Sequence, residues 1–333
     1  MSKYTIKEFH LFAGIGGGIY GGELLGHECC AGVEILPYAQ AVLKQRQQDG
    51  WMPKFPIYGD IRLLSGKIFK NKFDILCGGF PCQAFSTAAH GKNIEEKNLW
   101  GEMLRFIKES NAPIVFAENV VLRAIDKAKI DLEQNGYKVV RCRLSCSDIG
   151  ADHQRNRFWL LAVKNRTVFA RIAKHVLSLP IIKGIYWATD IKELGGEYTC
   201  DNGSRRKQLL GIGNAQSPFV VASAFRILVN RMLNEEYNTS EIVSNQEIQN
   251  VFEIQTTWIQ KTHNNIGLLH TPTTMANYSC PSMMKHQGCR NFKTVFGRPE
   301  PNNAEYLMGF PLGASNTQPM IINNFNKWKC NEA

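Results

Sequence analysis

The chain has no run of 18 consecutive apolar residues, so no segment reads as a helix spanning a bilayer. Its first residues, Met1-Ser2-Lys3-Tyr4-Thr5-Ile6-Lys7-Glu8, lack the apolar core that a secretory signal carries behind a basic end. The expected compartment is therefore a reducing cytoplasm, where ten cysteines are mostly buried free thiols rather than a disulfide framework. None of them forms a C-x-x-C pair, so the spacing of a zinc site is missing and no metal is expected. Internal repeats and low-complexity runs are lacking too. Acidic residues are in deficit: 29 Asp and Glu face 39 Lys and Arg, a net +10 with His neutral, which makes a polyanion the expected partner.

What is present suits a packed globular protein. With 44% hydrophobic and 20% charged residues over 333 positions, disorder is excluded. A chain of this length buries about three-quarters of the surface its unfolded form exposes. Up to residue 163, short apolar runs alternate with longer amphipathic stretches, the pattern of a parallel sheet covered by helices. Strands are expected over 6–12, 28–34, 56–60, 73–77, 114–118, 138–144 and 158–163, with helices over 38–48, 99–110 and 121–135. From 164 to about 206 the pattern weakens. An apolar helix over 219–232 then follows Gly211-Ile212-Gly213-Asn214-Ala215. Between 234 and 303 the composition shifts to Asn, Gln, Thr, Pro and Met, and that stretch reads as a separate loop-rich lobe.

Polar and reactive groups follow successive strands at their carboxyl ends, where open α/β sheets bind ligands. Phe12-Ala13-Gly14-Ile15-Gly16-Gly17-Gly18 sits where a strand hands over to a helix, and closely spaced glycines there let backbone N–H groups approach a ligand. Gly16, Gly18 and Gly21 also fit G-x-G-x-x-G, so a nicotinamide- or flavin-dependent oxidoreductase is a rival reading. Glu34, after the next strand, is placed to accept both hydroxyls of a ribose, and Asp60 to accept the amino group of an adenine. The decisive stretch is Gly78-Gly79-Phe80-Pro81-Cys82-Gln83-Ala84-Phe85-Ser86: a Cys in a polar loop shaped by Gly and Pro is better placed for reaction than for packing. Ala117-Glu118-Asn119-Val120 sets a carboxylate at the end of the following strand.

In this order, with the basic His153-Gln154-Arg155-Asn156-Arg157, with Gly213-Asn214-Ala215 and with Met308-Gly309-Phe310-Pro311, the chain resembles the DNA cytosine-5 methyltransferases of bacteria and phages. The resemblance implies a Rossmann-like methyltransferase sheet, catalysis by Cys82, Glu118, Arg155 and Arg157, and transfer of a methyl group from S-adenosyl-L-methionine, leaving S-adenosyl-L-homocysteine. It also implies a cofactor pocket built from Phe12, Ala13, Gly14, Ile15, Gly16, Gly17, Glu34, Ile35, Asp60, Ile61, Pro81 and Asn214. Cys82 would add as thiolate to carbon 6 of a cytosine flipped out of duplex DNA, Glu118 would hold a proton at nitrogen 3, and Arg157 would hold the exocyclic oxygen. Arg155 would steady a phosphate or the Cys82 loop.

Two departures from the family pattern stand out. His153 replaces the usual Gln, and Gly213-Asn214-Ala215 precedes Met308-Gly309-Phe310-Pro311 instead of following it. The division expected is a catalytic domain over 1–233, a target-recognition lobe over 234–303 with readers among Lys285 to Lys293, and a segment over 304–333 returning to the catalytic domain. A monomer on duplex DNA, with a cognate restriction endonuclease as second partner, is the expected assembly. A transfer-RNA cytosine methyltransferase shares the chemistry, and a DNA-binding protein that has lost catalysis would not retain Cys82, Glu118, Arg155 and Arg157.

Overall fold

Residues 4–81, 99–194, 202–237, 240–264, 266–271 and 280–330 are described by the structure, a computed structural model. Seven strands form one sheet in the order β3-β2-β1-β4-β5-β7-β6: β1 (Lys7–Leu11), β2 (Glu28–Val33), β3 (Ile57–Tyr58), β4 (Ile75–Gly79), β5 (Ile114–Asn119), β6 (Lys138–Leu144) and β7 (Arg157–Val163). Phe9, Leu11, Leu76, Val115 and Ala117 point into one apolar core, while Ile75, Cys77, Ile114 and Phe116 point into the other. Both faces are covered, which is why these strands read as near-continuous apolar runs. The first core is closed by the helices Trp100–Ser110 and Leu122–Gln134, the second by Gly17–Leu24, Pro37–Gln48, Arg166–Leu177 and Pro218–Leu233.

The sheet is not wholly parallel. β1 to β5 run one way, but β7 pairs antiparallel with both β5 and β6. Residues 145–156 between β6 and β7 hold a single 3-10 turn, Ser147–Ile149, and no helix that could carry a parallel crossover, so the chain folds straight back. The weak pattern after residue 164 also resolves into a regular helix. Asn165 caps Arg166–Leu177 by accepting the Val168 N–H at 3.0 Å, and Val168, Phe169, Ile172, Ala173 and Val176 recur at helical spacing on its buried face.

Between 234 and 303 the elements are short: helices Asn245–Gln249, Trp258–Thr262 and Gln287–Phe296, and a strand β9 (Phe252–Glu253) paired with β8 (Ile182–Lys183). Phe252, Ile259, Cys289 and Phe292 join the second core. Beyond them, Trp328 on the helix Ile322–Cys330 donates its indole N–H to Gly309 O at 2.9 Å and packs edge-on against Tyr20. Cys29, Cys30, Cys77, Cys142, Cys146, Cys280 and Cys289 are free thiols, and five of them are buried. No helix among those residues is long and apolar enough to cross a membrane.

Register sets the functional edge. Val33, Leu11, Gly78 and Ala117 lie in one row across β2, β1, β4 and β5. The next residue of each strand, namely Glu34, Phe12, Gly79 and Glu118, therefore emerges along one carboxyl edge. The strand order reverses between β1 and β4, the switch point at which open sheets hold ligands.

Candidate active site

Phe12 leaves β1 with φ +54°, a left-handed conformation costly for an aromatic residue, and starts the turn that Gly14 (φ +55°) and Gly16 (φ +95°) complete. The turn is closed by the neighbouring acid. Glu34 is buried, and its Oε2 accepts the Gly14 N–H at 2.7 Å while its Oε1 accepts the Leu36 N–H at 2.8 Å. Each oxygen keeps a second lone pair. A Cβ added to Gly14 would meet nothing within 4 Å, so the loop is open beside that carboxylate. Exposed Ile35 flanks it, Ala13 is half-buried, and Ile15 is fully buried beneath against Gly211.

The remaining glycines of the loop serve other neighbours. A Cβ at Gly16 would fall 2.6 Å from Met52 Cε, one at Gly17 would fall 2.1 Å from Gln216 O, and one at Gly18 would fall 2.8 Å from Gln216 Oε1. Asp60 caps the 3-10 turn Ile61–Leu63, with Ile61 buried below it, and its carboxylate is taken by Arg62 through Nε at 3.0 Å and Nη2 at 2.6 Å. That side-chain pairing holds the Asp60 carboxyl below the usual carboxylate range.

On the other side of the switch point, Glu118, the last residue but one of β5, lies directly opposite Gly79. Arg157, at the start of β7, brings Nε to 3.0 Å from Glu118 Oε1 without the alignment of a hydrogen bond, so Oε1 stays an open acceptor. Gln216 donates from Nε2 to Glu118 Oε2 at 3.2 Å. Sequence reasoning missed Gln216; the only signal was a polar residue between Gly213-Asn214-Ala215 and the Ser217-Pro218 helix start. Buried Asn119 donates to Phe80 O at 2.9 Å and so ties the end of β5 to the entry of the Pro81 loop. Cys82 lies outside the described residues.

Arg155 is turned inward. It donates from Nη2 to Gly213 O at 2.7 Å and to Ala215 O at 2.9 Å, fixing the turn that carries exposed Asn214. Burial, with Arg157 nearby, pulls its guanidinium down to about 10. His153 is fully buried with neither ring nitrogen hydrogen-bonded. Burial and then the charges of Arg155 and Arg157 lower it from 6.5 to about 3, so the imidazole is neutral.

The unfolded chain takes up that proton at higher pH than the folded one. Stability is therefore lost as pH falls below the unfolded value, by about 2 kcal/mol near pH 5. His153→Gln is expected to flatten this slope in urea unfolding followed between neutral pH and about pH 5. An identical slope in the variant would show that His153 titrates alike in the folded and the unfolded chain.

A family model described as C-5 cytosine-specific DNA methylase matches residues 6–311. The chain is 32% identical over 181 residues to the Type II methyltransferase M.MspI of a Moraxella species, covering 50% of this chain and 41% of that protein. It is 32% identical over 169 residues to the Type II methyltransferase M.HhaI of Haemophilus parahaemolyticus, covering 48% of this chain and 50% of that protein. The chain spans about half the length of these relatives or less.

Proposed function

The chain belongs to the C-5 cytosine-specific DNA methylase family, and on that premise we propose that it methylates carbon 5 of cytosine in duplex DNA. The observation that carries the reading is the pairing of Glu118 with Arg157 at 3.0 Å, opposite Gly79 and beside the entry to the Cys82 loop. Carbon 5 of cytosine is a poor nucleophile until a thiolate adds at carbon 6. Cys82 supplies that sulfur, forming the S–C6 bond as electron density moves to carbon 5. Glu118 carries the proton that neutralises nitrogen 3, and Arg157 faces the exocyclic oxygen. Loss of the carbon 5 proton to solvent base then expels the thiolate.

The open side of the glycine loop and the spare lone pairs of Glu34 fit S-adenosyl-L-methionine, which when bound supplies an electrophilic methyl group. Glu34 would accept from its ribose hydroxyls and Gly14 would give it room, with Phe12, Ala13, Ile35 and Pro81 around it. Ile15, Gly16, Gly17 and Ile61 would support the loop from beneath, and Asn214 would lie on the turn that closes the pocket. Asp60 would accept from the adenine only by sharing its carboxylate with Arg62.

Target recognition falls to residues 234–303. On the helix Gln287–Phe296 and the turn before it, Lys285, His286, Arg290 and Lys293 are exposed while Cys289 and Phe292 are buried, which leaves a basic face for phosphates and base edges. Asn291 is not among the readers: it is buried and donates to Gly267 O and Leu268 O. The cytoplasm, with a cognate restriction endonuclease acting on the same sequence, is the setting this reading fits. Duplex DNA incubated with the protein and S-adenosyl-L-methionine, then bisulfite-sequenced, is expected to show protected cytosines within one short sequence. Protection in transfer RNA alone, or none in either, would overturn the reading.

A further inference from the structure

Gln216 sits in a slot that glycines leave open on three sides. Its backbone lies where a Cβ on Gly17 would stand, at 2.1 Å from the carbonyl oxygen. Its side chain passes between Gly18, whose Cβ would meet Oε1 at 2.8 Å, and Gly79, whose Cβ would meet Nε2 at 3.0 Å and Glu118 Oε2 at 2.6 Å. No larger residue fits at these positions without displacing the amide or the carboxylate. The slot thus brings together the glycine loop, the end of β4 and the turn before the helix Pro218–Leu233, all around one neutral side chain.

The two ends of that side chain meet different chemistry. A carboxylate can only accept, so Nε2 faces Glu118 Oε2 and Oε1 faces inward. Inward lies a cavity of about 10 Å³, room for a single water, lined mostly by apolar groups, among them Phe116, Val221 and Phe225, with His10 and Glu8 as its polar part. The polar part is held by its own contacts. His10 Nε2 meets Glu8 Oε2 at 2.8 Å, and His27 Nδ1 meets Glu8 Oε1 at 2.6 Å. Burial alone would raise the Glu8 carboxyl, but the two imidazoles overcome it and bring it down to about 2.

We propose that Gln216 is the positioning residue for Glu118, engaging Oε2 and so holding the carboxylate against Arg157 beside the entry to the Cys82 loop. The assignment rests on the methyltransferase reading for its consequence but not for its geometry. The amide N–H on Oε2 and the Arg157 cation beside Oε1 together set the plane of the carboxylate. Among the described residues the charged groups around Glu118 are Arg157 at 3.0 Å and Arg155 behind it, both cationic.

Gln216→Met keeps the length of the side chain and removes both polar ends. An N–H donated to a carboxylate favours its charged form, so its loss favours the protonated form. The pH above which single-turnover methylation falls is then expected to move upward, while the maximal rate drops on the order of tenfold through lost orientation. A merely structural role would lower the rate without moving that limb. Independently of methylation, the carboxylate stretch of Glu118 should shift in Gln216→Met, read by infrared difference against Glu118→Gln in protein labelled with carbon-13 glutamate. Calorimetric binding of S-adenosyl-L-methionine should stay within a few-fold of wild type.

An unshifted stretch with an unmoved pH limb would overturn the proposal, as would loss of cofactor binding, which would make Gln216 a structural residue of the pocket. A shifted stretch in a protein that methylates no cytosine would leave the contact standing and sink the methyltransferase reading instead.

Discussion

Cys82→Ser is expected to abolish the covalent complex that the wild-type protein forms with duplex DNA carrying 5-fluorocytosine at its target. With S-adenosyl-L-methionine present, the wild-type thiolate adds at carbon 6 and the methyl group reaches carbon 5. Fluorine cannot leave as a proton does, so the S–C6 bond is never expelled. A serine hydroxyl holds its proton far more tightly than a thiol with an ordinary pKa of about 8.5, and the attacking anion is lost. Turnover should fall on the order of 10³-fold or more.

The buried cysteines flanking the site cannot stand in. Cys77, the nearest along the chain, is fully buried on β4, and burial pushes its thiol well above the usual range. Cys29 is raised by burial in the same way. Denaturing electrophoresis of the trapped complex is the measurement, and a complex of unchanged yield in Cys82→Ser would move the nucleophile elsewhere.

The sheet was legible in the sequence because its strands are buried on both faces. Apolar runs such as 114–118 and 138–144 recur in the structure as Ile114–Asn119 and Lys138–Leu144. Direction was not legible. A strand reads the same either way, and only the length and content of residues 145–156 dictate that β7 runs back. The helix Arg166–Leu177 was legible in principle, since its buried positions keep helical spacing behind the Asn165 cap.

At the site, Glu34 and Glu118 could be placed because each follows a strand in chain order. Their partners could not, because partners come from distant segments. The Arg62 clamp on Asp60, the inward turn of Arg155 onto Gly213 and Ala215, and Gln216 beside Glu118 are all set by tertiary packing. Glu8, His10 and Cys77 show the same limit. Glu8 and His10 stand two residues apart on β1 and His10 lies opposite Cys77 on β4, so one buried face gathers what a linear reading scatters.

Glu118→Gln should keep the shape of the site while removing its acid. The wild-type carboxylate stands between the Arg157 cation, whose Nε lies 3.0 Å from Oε1, and the Gln216 amide, which donates to Oε2 at 3.2 Å, and both are suited to an anionic acceptor. An amide offers one oxygen and one NH₂, so whichever way it turns, one donor meets another donor, and the Arg157 charge loses its counterion. The cost falls on the arrangement that must meet the pyrimidine, and in addition the amide has no proton to share with nitrogen 3. Without that proton, addition of the thiolate would leave negative charge on the ring, and carbon 6 stays a poor electrophile. The single-turnover methylation rate is expected to drop on the order of 10²-fold or more. Glu34, across the switch point, is untouched, so calorimetric affinity for S-adenosyl-L-methionine should hold within a few-fold. A near-wild-type rate in Glu118→Gln would show that the proton at nitrogen 3 comes from another group, and would remove the observation on which the proposed function stands.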